Sequence, residues 1–192
     1  MQLCDPFATF DLKPDKLKIQ EVLLYLMNKK PRITQFQLVK SVWFADKVHL
    51  NAHGRPVTFD NYAAMPKGPV PSLALNALTS AEFDHQRQFG NPRQWKGTPK
   101  RLRPDAIEFV AERAADLDYL SQSDLAAMDE GLETVLKTST EDMWTMLHEH
   151  PAYKEAWGKR GTKKSVPMKL SLIADESGDK LAAKLAYISA HA

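Results

Sequence analysis

The sequence is poor in cysteine and in long apolar runs, and these two gaps exclude whole classes of protein. Cys4 is the single cysteine among 192 residues, so the chain cannot form an intramolecular disulfide, and it has no zinc-ribbon spacing. No stretch approaches the roughly 20 apolar residues that span a bilayer. Residues 1–10 lack the basic region and apolar run of a signal peptide. We therefore expect a cytoplasmic protein with no membrane partner.

The short motifs of common enzymes are also missing. The chain has no G-x-S-x-G elbow for a nucleophilic serine. It has neither a P-loop nor a G-x-G-x-x-G loop that would cradle phosphates. We therefore predict no catalytic residues, no cofactor and no bound metal.

The composition is that of an ordinary globular domain with an uneven charge distribution. Hydrophobic residues make up 43% of the chain and charged residues 26%, and the length suits one core. Residues 105–150 carry twelve acidic and two basic side chains, whereas residues 84–104 carry six basic and one acidic. Such segregation either attracts oppositely charged partners or forms a solvated surface.

Apolar side chains that recur every three or four residues predict amphipathic helices. Thr34 is a suitable N-cap and Gly54 a suitable C-terminal residue for one of them, while Ser121 and Ser139 are N-cap candidates for two more. The predicted helices span residues 14–27, 34–52, 72–78, 151–157 and 179–189, together with the two that follow Ser121 and Ser139.

Residues 54–71 contain two glycines and four prolines, which favour turns and short extended segments. We predict that Val57–Phe59 pairs with Tyr62–Met65 as a hairpin. Residues 84–104 are predicted as a loop or exposed ribbon, and Ile107–Val110 as a strand. The predicted fold is mainly α: a compact helical domain with a small inserted β-hairpin or short sheet.

Three regions follow from this pattern. Residues 1–13 are predicted as an N-terminal arm and residues 14–157 as the helical domain. Residues 158–192 are predicted as a basic linker followed by a C-terminal helix.

Asp46 falls on the apolar face of the second predicted helix, one turn after Trp43. A carboxylate there must find hydrogen-bond donors, because an unpaired buried charge is costly. We predict a supporting role for Asp46, in which it holds the following turn. The spacing of Asp46, His49 and His53 also suits a metal-dependent hydrolase, an alternative that we favour less.

The run Lys67-Gly68-Pro69-Val70-Pro71-Ser72 is the most distinctive short segment. Because prolines stiffen it, we predict a rigid surface for a partner. Trp95 stands among arginines and lysines and is predicted to add an aromatic contact. Trp43 and Trp144 are predicted in the core. The predicted partner-binding residues are Met65, Lys67, Gly68, Pro69, Val70 and Trp95, and the predicted supporting residues are Trp43, Asp46 and Trp157.

An ordered set of motifs resembles one known family. The sequence has VWFAD at 42–46, GRPVT at 54–58, YAAM at 62–65 and KGPVPS at 67–72, followed by LSQSDL at 120–125 and HEHP at 148–151. Phe59 stands where relatives commonly have glycine. Over roughly residues 16–157 the chain resembles the Panacea (SocA-like) antitoxin domain.

The resemblance implies a protein that is not an enzyme and that inactivates a cognate toxin by direct binding. It also implies that some members act as proteolytic adaptors, which deliver the toxin to an ATP-dependent protease. The toxin itself cannot be inferred, since fold does not fix the partner.

A nucleic-acid-associated transcriptional regulator is the alternative function. The basic residues of 84–104 and 158–164 favour it, because cations that contact phosphates drive such binding. No predicted helix combines clustered arginine and lysine with base-reading asparagine or glutamine, so we favour this alternative less.

Overall fold

Side-chain caps fix the first turns of the first two helices in the structure, a computed structural model that describes residues 14–100 and 103–174. Asp15 caps α1 (Lys16–Lys29), because its Oδ1 accepts the N–H groups of Leu17 and Lys18, each at 3.0 Å. The predicted start at Pro14 is therefore wrong. Thr34 caps α2 (Gln35–His53), and Gly54 ends it in the left-handed conformation with φ 73°, as predicted.

Within these residues the chain forms seven α-helices and two small sheets, which confirms the predicted mainly α fold. The two-residue strand β1 (Ile33–Thr34) precedes α2. The strands β2 (Tyr62–Met65) and β3 (Gly68–Pro71) follow it. The remaining elements are α3 (Ser72–Thr79), α4 (Glu82–Phe89), β4 (Trp95–Lys100), β5 (Arg103–Ala111), α5 (Gln122–Lys137), α6 (Thr140–Glu149), α7 (Pro151–Gly158) and β6 (Val166–Pro167).

The predicted pairing of Val57–Phe59 with Tyr62–Met65 is wrong. β2 pairs with β3, with Met65 opposite Gly68, and not with Val57–Phe59. The N–H groups of Val57 and Thr58 are bound by the Asp46 carboxylate, so they are not available to a ladder. The prolines of β3 are tolerated because β3 is the edge of the sheet β3-β2-β6.

Residues 84–104 are predicted as a loop or exposed ribbon, and the structure agrees for β4, which is exposed after Trp95. The prediction is wrong for residues 84–89, which belong to α4. β4 pairs with β5, which contains the predicted strand Ile107–Val110 and also pairs with β1.

The predicted linker after residue 157 returns to the domain. β6 pairs with β2, and Ile173 is fully buried beside Trp43. The predicted N-terminal arm and the predicted helix at 179–189 lie outside the described residues.

The core forms around α2, which packs against α1, α3 and α5. Helix α5 comes closest at Gly131, where an added Cβ would lie 2.6 Å from the Ser41 carbonyl oxygen and 2.7 Å from the Ala45 nitrogen. Backbone atoms cannot move away as a flexible side chain can, so this position requires glycine. No helix in the described part of the chain is long and apolar enough to cross a membrane.

We expect Gly131→Ala to lower the free energy of unfolding by about 2 kcal/mol, measured by denaturant titration. Alanine has the higher intrinsic helix propensity, by about 1 kcal/mol, so a loss would show that the close approach of α5 to α2 decides the outcome. The matched control is Gly158→Ala, at a helical glycine with open space around it, and it should leave stability unchanged or slightly higher. Equal effects of the two substitutions would contradict the assigned packing.

Candidate functional site

The Asp46 carboxylate organises the turn that follows α2. Its Oδ1 accepts the N–H groups of Val57 at 2.8 Å and Thr58 at 2.9 Å. Its Oδ2 accepts the hydroxyls of Thr58 and Tyr62. Burial raises the pKa of Asp46, and these hydrogen bonds oppose the rise. The carboxylate thus ties α2 to the start of β2.

A second carboxylate continues the same segment toward α3. Asp60 accepts the N–H groups of Leu73 at 2.9 Å and Ala74 at 2.8 Å, which are among the unpaired donors at a helix start. Desolvation raises the pKa of Asp60 to about 6. Between the two carboxylates, Phe59 has a left-handed φ of 52°. This conformation is strained for a side chain and free of strain for glycine.

Lys40 lies beneath the β2–β3 hairpin with 1% of its surface exposed. Its Nζ donates to the Pro69 carbonyl at 2.7 Å and lies 5.5 Å from the centroid of the Phe36 ring. Desolvation lowers the pKa of Lys40 to about 7, because burial without a carboxylate partner disfavours the charged form. Helix α2 therefore holds the turn through Asp46 and the hairpin through Lys40.

The two-residue turn of the hairpin is its exposed part, and we call Met65, Pro66 and Lys67 the hairpin tip. Pro66 and Lys67 are exposed and Met65 is half-buried. Gly68 follows with φ 93°, where a Cβ would lie 3.0 Å from the Leu147 Cβ. The hairpin is thus packed closely on α6.

Four aromatic rings follow one another along α6 and α7, and we call Trp144, His148, Tyr153 and Trp157 the aromatic row. Trp144 stacks on His148 with centroids 3.8 Å apart, His148 meets Tyr153 edge-on at 4.8 Å, and Tyr153 stacks on Trp157 at 5.8 Å. The Tyr153 hydroxyl donates to the Met65 carbonyl at 3.0 Å. The row and the hairpin tip therefore adjoin one another.

The predicted partner-binding residues divide into exposed and buried groups. Lys67 is exposed and Met65 half-exposed, whereas Gly68, Pro69 and Val70 are buried in β3. Trp95 is 2% exposed, and its ring meets His85 edge-on at 5.4 Å. The prediction that Trp95 offers a surface contact is wrong, because the indole is buried in the main hydrophobic core.

The predicted roles of the other tryptophans also need one correction. Trp43 is buried against Tyr62 and His150 at centroid distances of 5.1 and 5.2 Å. Trp157 is half-buried on α7. Trp144, predicted in the core, is 54% exposed, because its neighbours Met143 and Leu147 turn inward on α6 instead.

The aromatic row was missed from the sequence, although its spacing was visible. Trp144 and His148 are four residues apart, as are Tyr153 and Trp157. On a helix, side chains at that spacing are neighbours. The signal could have been found by searching for aromatic pairs rather than for apolar stripes.

The three residues of the alternative metal site do not converge. Asp46 faces the segment 57–62, while His49 Nδ1 lies 2.7 Å from the Arg55 carbonyl and Nε2 lies 3.0 Å from Ser123 Oγ. The His53 ring lies beside that of His49, with centroids 4.4 Å apart and the ring planes tilted by 42°. Among the described residues, no group of three histidine, cysteine, aspartate or glutamate side chains is arranged to hold a metal ion.

Comparison with known families identifies the chain. The family described as antitoxin SocA-like, Panacea domain, matches residues 38–154, a span from the first turn of α2 into α7. This match covers more than half of the chain, and the chain belongs to this family. No match to a curated protein or to a solved structure was found.

We expect Asp46→Ala to lower the free energy of unfolding by about 3 kcal/mol, because it leaves the buried N–H groups of Val57 and Thr58 without an acceptor. Denaturant titration measures the change. Asp84→Ala, at an exposed aspartate that pairs with Arg87, is the control and should cost less than about 1 kcal/mol. A loss no larger than that of the control would contradict the role of Asp46 in holding the turn.

Lys40 should make stability rise with pH above neutrality. The pKa of lysine is near 10.5 in the unfolded chain, and that of Lys40 is about 7 in the folded chain. Between these two pH values the unfolded chain binds more protons than the folded chain, so the free energy of unfolding rises as the pH increases. We expect Lys40→Met to remove about 2 kcal/mol of the gain in unfolding free energy between pH 7 and pH 9. Lys67→Met, at the exposed hairpin tip, is the control and should keep the gain. An unchanged pH dependence in Lys40→Met would contradict the assignment.

Proposed function

We propose that this member of the SocA-like Panacea family neutralises a toxin protein by binding it directly. The single observation that carries the proposal is the family match over residues 38–154. The family is described as antitoxin SocA-like, and an antitoxin role implies a toxin as its target.

The chemistry of the buried ionisable groups supports a role without catalysis. Asp46 and Asp60 are occupied by backbone and hydroxyl donors, and Lys40 is bound to a carbonyl. A catalytic acid or base must instead reach a substrate. These groups are placed where they connect α2, the hairpin and α3, which is a task of support.

The exposed aromatic side chains support a role in binding. Trp144 leaves more than half of its surface to solvent, and Met146 on the same helix leaves 45%. Tryptophan and methionine are enriched at the centres of protein interfaces. We propose further that the bound toxin is either held inactive or passed to an ATP-dependent protease, in which case the chain is a proteolytic adaptor.

Co-expression tests the function. The product of the neighbouring gene is induced in a host with and without this chain, and colony counts are compared. We expect growth arrest by that product alone and growth within about tenfold of the uninduced culture when the chain is present. A harmless product, or arrest that persists despite soluble chain, would contradict the proposal.

The amount of the toxin separates the two modes. Stable toxin at normal levels in rescued cells is the expected result of sequestration. Rapid loss of the toxin that stops when the protease gene is deleted is the expected result of adaptor activity.

A further inference from the structure

The hairpin tip adjoins two aromatic side chains of α6. His148 Nε2 lies 3.3 Å from the Pro66 carbonyl, and the exposed Trp144 stacks on the same imidazole. Phe36 is 40% exposed, and the centroid of its ring lies 5.5 Å from the Nζ of Lys40, which donates to the Pro69 carbonyl of the hairpin. The tip and the aromatic row thus form one surface, which we call the tip surface. Within the row Trp144 is exposed, His148 and Trp157 are half-buried, and Tyr153 is buried beneath the tip.

This surface is fixed before any partner arrives. The Tyr153 hydroxyl donates a hydrogen bond to the Met65 carbonyl. Gly68 packs closely on Leu147, because a Cβ at this position would lie 3.0 Å from the Leu147 Cβ. A partner that meets a rigid surface loses less conformational entropy than one that must order it. The construction therefore favours binding.

One end of the tip surface is cationic. Lys67 is exposed at the tip, and β6 pairs antiparallel with β2 so that Ala64 lies opposite Val166. The residues before Val166 therefore run toward the tip, which brings Lys163 and Lys164 to the same end. Arg160 covers Trp157, with its guanidinium 4.6 Å from the ring centroid. Lys67, Lys163 and Lys164 form no ion pair with any residue that the structure describes.

The opposite end of the surface is acidic. Glu141 and Asp142 occupy the first turn of α6, one turn before Trp144. Farther along, the carboxylates are paired with lysines, Glu149 with Lys154 and Glu155 with Lys159. A uniformly anionic polymer such as nucleic acid would meet these two α6 carboxylates beside Trp144, whereas a protein segment can place its charges to suit both ends.

We propose that the toxin docks on the tip surface through a segment that lays an apolar or aromatic side chain against Trp144 and sets acidic side chains against Lys67, Lys163 and Lys164. This inference rests on the proposed function, since it takes the toxin as the partner. It replaces Trp95 of the sequence-based prediction with Trp144 and keeps Lys67.

Binding of the purified toxin tests the docking surface, by isothermal titration at about 50 mM and about 300 mM salt. The toxin used is the neighbouring product that the wild-type chain neutralises in co-expression. We expect Trp144→Ala to weaken binding at least tenfold, because a large ring at an interface centre carries much of the affinity. Lys67→Glu should weaken it about tenfold at low salt and less at high salt, because salt screens the attraction.

Two matched substitutions elsewhere serve as controls. Phe83→Ala removes a ring that is 77% exposed on α4, and Lys16→Glu reverses an exposed charge at the start of α1. Both should bind toxin within about twofold of the wild type. Melting temperatures within a few degrees of the wild type show that the variants are folded; should Trp144→Ala fail to fold, Lys67→Glu and Lys164→Glu still test the surface.

The outcomes separate this inference from the proposed function. Normal toxin affinity in both Trp144→Ala and Lys67→Glu overturns the docking surface and leaves the antitoxin role intact, because the wild type still binds. Normal toxin affinity together with weakened binding of a promoter duplex also overturns it and assigns the surface to nucleic acid. The absence of any neutralised toxin overturns the proposed function itself.

Discussion

One buried carboxylate determines where the chain goes after its central helix. Asp46 takes two backbone N–H groups and two hydroxyls, so Val57, Thr58 and Tyr62 must all meet the same side of α2. Once Tyr62 is placed, β2 can begin, and both β3 and β6 pair with it. Burying a charge costs free energy unless donors surround it. Because the donors come from a single short segment, that cost is offset only in the native arrangement, which makes the turn specific.

Helix α2 is fixed by two different kinds of contact. Asp46 and Lys40 bind the backbone on the side of the hairpin, and at Ser41 and Ala45 the backbone is met by Gly131 of α5. The hydrogen bonds of Asp46 and Lys40 determine where the hairpin lies, because they form only with particular backbone groups. The close packing of α5 on α2 requires only that residue 131 be small. Together these contacts leave α2 little freedom to slide or rotate. The tip surface is therefore rigid as well, because the hairpin is bound to α2.

The sequence predicts correctly those features that depend on residues close together along the chain, such as the helix caps. The caps at Thr34, Ser121 and Ser139 were predicted because each cap bonds to a backbone group within three residues. That Asp46 needs donors followed from its place on an apolar stripe. The exposure of Trp144 and the burial of Trp95 could not follow, since each depends on which distant element lies opposite. The strand β3 was hidden by its prolines, which suit a loop as well as a sheet edge.

The residues that hold α2, the hairpin and α3 together are separate from the exposed side chains of the tip surface. His150 connects α7 to the core, because it caps α7 at the Ala152 N–H and lies edge-on to Trp43. Trp144, Lys67 and Lys164 take no part in these contacts of His150, and all three are exposed. Exposed side chains of this kind can change with little effect on stability. Substitutions at Trp144, Lys67 and Lys164 would then change the tip surface without disturbing Asp46, Lys40 or Gly131.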